Sequence, residues 1–168
     1  MSYALVYYPN INTEYIQQIR QQSDPQFDLI EPHITLVFPI NASINENKLI
    51  AHIESILSNW KTFHIHLQGL QKSWDEYLFL IVESGKLDII KLHDELYTDI
   101  LAEYHRDNLL FVPHLTLGKF TKDTEQILQD SSAVEYLNYH CFVDKLHLIN
   151  IADEQMSIIW SKEFVLRN

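Results

Sequence analysis

Apolar and polar positions along the chain follow two rhythms, one of strands and one of helices. Residues 3–9, YALVYYP, are an aromatic and β-branched run closed by Pro9, which predicts a strand. Asn12-Thr13 can cap a helix to about Gln22, with Tyr15, Ile16 and Ile19 on one face, and Ser23-Asp24-Pro25 stops it. HITLVFP (33–39) predicts a second strand with a proline at each end. From Ser43 or Asn45 to about Asn59, Leu49, Ile50, Ile53, Ile56 and Leu57 recur at helical spacing. Residues 62–70 alternate strictly, as a half-exposed strand does, whereas YLFLIVE (77–83) is nearly continuous and predicts burial on both faces. Residues 71–76 can make the hairpin between them. A helix is expected over about 87–103, a strand over 114–120, a helix of about ten residues after 121–123, and strands over roughly 139–150 and 157–166, with 152–155 between them.

The resulting order is β-α-β-α-β-β-α-β-α-β-β. It predicts an α+β fold of two antiparallel-rich sheets rather than a doubly wound parallel one. The first five elements and the next six read as two related halves, each with a strand carrying His-x-Thr after a helix.

Those two strands hold the candidate chemistry. Residues 32–38 read PHITLVF and residues 113–120 read PHLTLGKF, with the histidines 81 positions apart. On a strand, side chains alternate faces. His33 and Thr35 therefore share one face, with Ile34, Leu36 and Phe38 behind; His114 and Thr116 share one face, with Leu115 and Leu117 behind. Related by a pseudo-two-fold, the pairs would set two imidazoles and two hydroxyls around one small volume. Histidine titrates near neutral pH, so one ring can act as base and the other as acid. Threonine hydroxyls can donate to the non-bridging oxygens of a phosphate. Threonine is common in strands on propensity alone; its shared offset from a histidine, repeated, is what singles it out. In a 2′,3′-cyclic phosphate one imidazole would activate water and the other would protonate the departing ribose oxygen.

Two copies of Pro-His-apolar-Thr-apolar at this separation resemble the 2H phosphoesterase superfamily, which includes 2′-5′ RNA ligase-like and cyclic phosphodiesterase proteins. The resemblance implies a duplicated bilobal fold, helices outside and a central groove. It implies a metal-independent phosphodiesterase or ligase acting on a 2′,3′-cyclic phosphate or 2′-5′ linked nucleotide or RNA end, with His33, Thr35, His114 and Thr116 as the catalytic set. The alternative is a module that holds a phosphate or RNA end in the same groove without turnover. Many relatives carry an Arg soon after the second motif; here Gly118-Lys119-Phe120 follows. Lys119 and Lys145 are candidate phosphate contacts, and Tyr77, Trp74 and Phe120 are candidates to stack a base or wall the groove.

Composition narrows the partners. The formal net charge of −11 disfavours long nucleic acid and anionic membrane, and favours a small cyclic phosphate, nucleotide or short RNA end. One cysteine, Cys141, excludes an intrachain disulfide, and no apolar run approaches a membrane span or a signal-peptide core, so a cytoplasmic protein is expected. No cofactor is expected, since there is no glycine-rich phosphate loop, and no metal. His64 and His66 share a polar strand face with Thr62 and Gln68. His52, His93 and His105 fall on helices or their ends and are expected at the surface; His140 and His147 have no assigned role, and Asp153-Glu154 reads as a solvated loop.

Overall fold

The structure, a computed structural model, describes residues 2–41, 43–106, 108–152 and 155–164. The elements run β1 (Ser2–Tyr7), α1 (Glu14–Ser23), β2 (Ile34–Asn41), α2 (Glu46–Leu57), β3 (Phe63–Lys72), β4 (Tyr77–Ser84), α3 (Lys86–Leu96), a 3-10 helix (Asp99–Tyr104), β5 (His114–Lys119), α4 (Lys122–Gln129), α5 (Ser131–Tyr136), β6 (Asn138–Val143), β7 (Lys145–Asn150) and β8 (Ile158–Glu163). The α+β class is as expected. Asp153-Glu154 and the end of the predicted last strand, 165–166, lie outside the described residues.

The strands form one antiparallel sheet ordered β6-β3-β4-β5-β2-β1-β7-β8. The two expected sheets are its four-stranded halves, joined where β2 meets β5. The halves are not contiguous in the chain. β3 pairs with β4 and β6 rather than with the N-terminal strands, while β7 and β8 complete the half begun by β1 and β2. The predicted 139–150 strand breaks at Asp144 into β6 and β7, which stand six places apart in the sheet. Flat, that is about 29 Å at the usual strand spacing. A single intervening residue spans less than about 8 Å, so the sheet must curl. Tyr7 on β1 accordingly donates its hydroxyl to the Phe142 carbonyl on β6 at 2.8 Å.

Period-two alternation sorts each strand. On β1, Tyr3, Leu5 and Tyr7 join the main core, whereas the smaller Ala4 and Val6 face the groove. On β4, Leu78, Leu80 and Val82 are buried, but Tyr77, Phe79 and Ile81 are only half-buried, and Tyr77 and Phe79 line the groove. The continuous apolar run of β4 thus serves a core on one side and a groove on the other, instead of two cores. The helices cross over: α1 packs against β5, and α3 against β2. The helix predicted over 87–103 ends early because Tyr97 turns inward, where its hydroxyl accepts the Phe38 amide at 2.9 Å. No helix among the described residues is long and apolar enough to cross a membrane.

Gly118 marks the closest approach of α1 to β5. Its φ is +141°, and the Ser23 hydroxyl sits within hydrogen-bond distance of the Leu117 carbonyl at 3.1 Å. A Cβ on Gly118 would stand 2.7 Å from the Ser23 carbonyl carbon. Gly118→Ala should therefore destabilise the fold by about 2–3 kcal/mol, read as a lower urea midpoint with an unchanged m-value.

Candidate active site

The site is built on one backbone register. Ile34 on β2 pairs with Leu115 on β5, antiparallel, and both side chains are fully buried on the core face. Antiparallel pairing then sets His33 opposite Thr116, and Thr35 opposite His114. The two histidines are diagonal neighbours, about 7–8 Å apart at the backbone. All four side chains line a single cavity of about 980 Å³ that draws on both halves of the sheet.

The proline before each histidine has a local function. The His33 Nδ1 lies 2.8 Å from the Glu31 carbonyl, and the His114 Nδ1 lies 2.6 Å from the Val112 carbonyl. Each imidazole thus bonds the carbonyl two residues back, across a proline whose restricted backbone shapes the turn. A carbonyl only accepts, so Nδ1 carries the hydrogen and Nε2 is the nitrogen left to titrate. An aromatic side chain from near the adjacent strand packs on each ring. Phe79 stacks on His114 at 3.5 Å between centroids, and Tyr8 meets His33 edge-on at 6.2 Å. Thr35 and Thr116 are half-buried, and their hydroxyls have no hydrogen-bond partner among the described residues, leaving them available to a ligand.

Burial dominates the electrostatics. It pushes the His33 pKa down from 6.5 to about 4, assisted by the Arg20 guanidinium and by His114, against the Glu31 carbonyl. His114 is also lowered by burial, with the Val112 carbonyl and then Asp75 opposing. Arg20, also on the cavity lining, is itself buried, and its guanidinium donates to the Asp24 carboxylate at 2.8 Å, the Gln17 side chain at 3.0 Å and the Ile30 carbonyl at 2.6 Å. It ties the end of α1 to the segment that delivers His33.

Of the expected ligand contacts, Tyr77 and Trp74 line the cavity, whereas Lys119 and Phe120 do not. Lys119 is exposed at the end of β5, and Phe120 lies under the Lys72 ammonium at 4.4 Å. Lys72, also on the lining, is paired with Glu76 at 2.9 Å. Arg106 also lines the cavity, beside the Phe38 ring and 5.9 Å from its centroid. No carboxylate pairs with it among the described residues. Pattern reading passed over Arg106, as it did Tyr8 and Phe79, because nothing local ties an irregular segment, or an aromatic in a strand, to a histidine distant in sequence. Trp74 and Leu110, 83% and 85% exposed, stand on loops that wall the cavity.

The other histidines are elsewhere. His66 bonds Glu83 at 2.9 Å and Asn138 at 2.8 Å, and its ring stacks on His140 at 4.0 Å. His52 bonds the Leu96 carbonyl, and His147 the Ser161 hydroxyl. His93, expected at the surface, is buried at 3% exposure.

Comparison with known proteins bears on the family and the fold. A family model described as the 2'-5' RNA ligase superfamily matches residues 8–155. A protein of Geobacillus thermodenitrificans (strain NG80-2) named "Putative phosphoesterase" is 22% identical over 153 residues, 89% of this chain and 87% of that protein. One of the same name from Bacillus cereus (strain ATCC 14579) is 25% identical over 135 residues, 78% of this chain and 77% of the other. Among solved structures, E. coli LigT complexed with 3'-AMP superposes with a TM-score of 0.59 at 15% identity, covering 98% of this chain and 99% of that one. LigT complexed with NADP+ gives 0.59 at 14%, covering 96% of each.

The lowered His33 pKa predicts a pH dependence of stability. Between 6.5 and about 4 the unfolded chain binds a proton that the folded site rejects. The His33 contribution is therefore whole above 6.5 and is lost as pH falls through that window. Urea unfolding from pH 7 to 4.5 should show a steeper loss for the wild type than for His33→Gln, with the two profiles parallel above pH 7.

Proposed function

This chain belongs to the 2'-5' RNA ligase superfamily, and we propose that it is a phosphodiesterase of the two-histidine type. The substrate class is a 2′,3′-cyclic phosphate or a 2′-5′ linked nucleotide or RNA end. The observation that carries this reading is the Ile34–Leu115 register, which sets two Nδ1-anchored imidazoles diagonally across two uncommitted hydroxyls.

In the hydrolytic direction, Nε2 of one neutral imidazole takes a proton from water as the water oxygen attacks phosphorus. The bond from phosphorus to the ribose oxygen breaks, and Nε2 of the other ring, protonated, gives its proton to that oxygen. The products are a phosphomonoester and a free hydroxyl, with the protons exchanged between the histidines and restored through solvent. Reversed, the same transfers join a cyclic phosphate to a hydroxyl. Thr35 and Thr116 donate to the non-bridging oxygens as charge shifts onto them. In the empty groove burial holds both rings below 6.5, so both are neutral at pH 7. The phosphate anion supplies the counter-charge that lets one ring take up a proton. Chemistry is thereby matched to occupancy.

Arg106 serves as the phosphate-contacting cation in place of Lys119, since it lines the cavity and no described carboxylate neutralises it. The cavity, at about 980 Å³, has room for a nucleoside beyond the phosphate. The nucleotide and phosphate complexes of LigT, including 3'-AMP, ATP and phosphate, support a ligand of this size.

His33→Ala and His114→Ala should each lower kcat by about 10²–10⁴ on a 2′,3′-cyclic nucleotide while retaining the wild-type circular dichroism spectrum. Arg106→Ala should raise KM about tenfold with kcat largely kept. Tight binding by calorimetry without product at any pH would instead mark a binding module. The rate profile carries a second expectation. Because both free-protein histidines titrate below 6.5, the bell of kcat/KM should peak on the acid side of 6.5. The kcat profile, which reads the complex, should lie at higher pH; steady-state kinetics from pH 4 to 9 checks both.

A further inference from the structure

The wall of the groove that carries Arg106 is fastened to the fold through one buried histidine. His93, on α3, places its Nδ1 2.8 Å from the Leu36 carbonyl of β2, one residue beyond Thr35. The segment after the 3-10 helix folds back over it. Phe111 stacks flat on the imidazole at 3.7 Å and 7°, and the His105 ring lies 5.8 Å away. Arg106, Leu109, Leu110 and Val112, all on that segment, line the cavity.

The cluster has the makings of a ligand set. His93, Asp94 and His105 each offer one donor atom, and the three atoms lie within 4.8 Å of one another. Tetrahedral ligands about 2.0–2.1 Å from a zinc ion stand roughly 3.3 Å apart. Closing the difference calls for rotation of the exposed Asp94 and of the half-buried His105, whose ring also lies 5.2 Å from that of Tyr97, while His93 is held by its neighbours. The carbonyl bond at Nδ1 fixes the tautomer of His93 and leaves Nε2 to ligate, the outer-shell arrangement that metal-binding imidazoles require. Two imidazoles and a carboxylate suit a borderline divalent ion such as Zn²⁺, with water in the fourth position. The cross-strand histidines do not form a comparable set. Both ring nitrogens of His66 are taken by Glu83 and Asn138, and its ring lies face to face with His140.

We propose that His93, Asp94 and His105 bind a first-row divalent cation, Zn²⁺ by chemistry, and that the ion clips the Arg106-bearing segment to helix α3. The ion lies outside the proton pathway. It acts on the wall of the groove, by restraining the residue that follows His105.

The test uses the full chain, freed of metal by chelator, in a His64→Gln/His140→Gln background that removes the cross-strand pair of imidazoles 3.2 Å apart from contention. Calorimetry with Zn²⁺ and visible absorption with Co²⁺ read binding without reference to turnover, so failure here is separable from failure of the phosphodiesterase assignment. The expected result is one equivalent bound and a four- to five-coordinate Co²⁺ spectrum. His105→Gln and Asp94→Asn, both at accessible positions, should each weaken binding at least about tenfold. No binding by the parent, or binding unchanged in His105→Gln, overturns the proposal.

Discussion

A single backbone pairing, Ile34 with Leu115, carries the whole design. It is the register at which the two halves of the sheet become one. It is also the centre about which His33 faces Thr116 and Thr35 faces His114. The pairing is held from behind, because Ile34, Leu36, Leu115 and Leu117 are all buried on the opposite face. A slip of one residue would turn each histidine into the core, so the apolar face that secures the strands also orients the polar one. The helices reinforce the junction by exchange: α1 lies against β5 and α3 against β2. Neither half supports its own histidine strand alone.

The same burial that gives rigidity works against ionisation. An imidazole at the groove floor loses solvent, and His33 falls to about 4 with Arg20 close by. Arg20 is paired rather than free, since it donates to Asp24, Gln17 and the Ile30 carbonyl. Its removal would strand Asp24, a buried charge, and release the segment leading to His33. The protein thus accepts a cost in proton affinity to hold two rings in one orientation, each anchored at Nδ1 by a carbonyl two residues back. The anionic ligand proposed for the groove would reverse that cost locally, so the electrostatics of the empty and the occupied groove would differ.

The strands that carry His33 and His114 were legible because period-two alternation and the repeated Pro-His-apolar-Thr are local signals. The pairing between them was not, since it joins strands about 80 residues apart through a register that no local pattern encodes. For the same reason β3 read as part of the first half, although its partners are β4 and β6. The run 139–150 looked continuous because one polar residue, Asp144, does not end a strand pattern; the curl of the sheet divides it into β6 and β7. Lys119 was plausible by its place after the second motif, yet the end of β5 carries it outside the cavity lining. His93 looked like a surface residue because one polar position on a helix says nothing of what folds over it, here Phe111.

Chemistry and recognition are divided between parts of different stiffness. The histidines and threonines proposed for the chemistry lie in or next to strands that are paired on both edges and packed on the core face. Trp74 and Arg106 lie on connections, on opposite sides of the same cavity in the chain order, one in the β3–β4 hairpin and one after the 3-10 helix. In a protein of net charge −11, a guanidinium at the groove that no carboxylate pairs with among the described residues would attract an anion that the rest of the surface repels at longer range. Under the proposed function, discrimination between ligands would rest on what those loops touch beyond the phosphate. It can change by substitution at Trp74, Arg106 or Leu110 without disturbing the Ile34–Leu115 register, so the reaction and its specificity are free to vary independently.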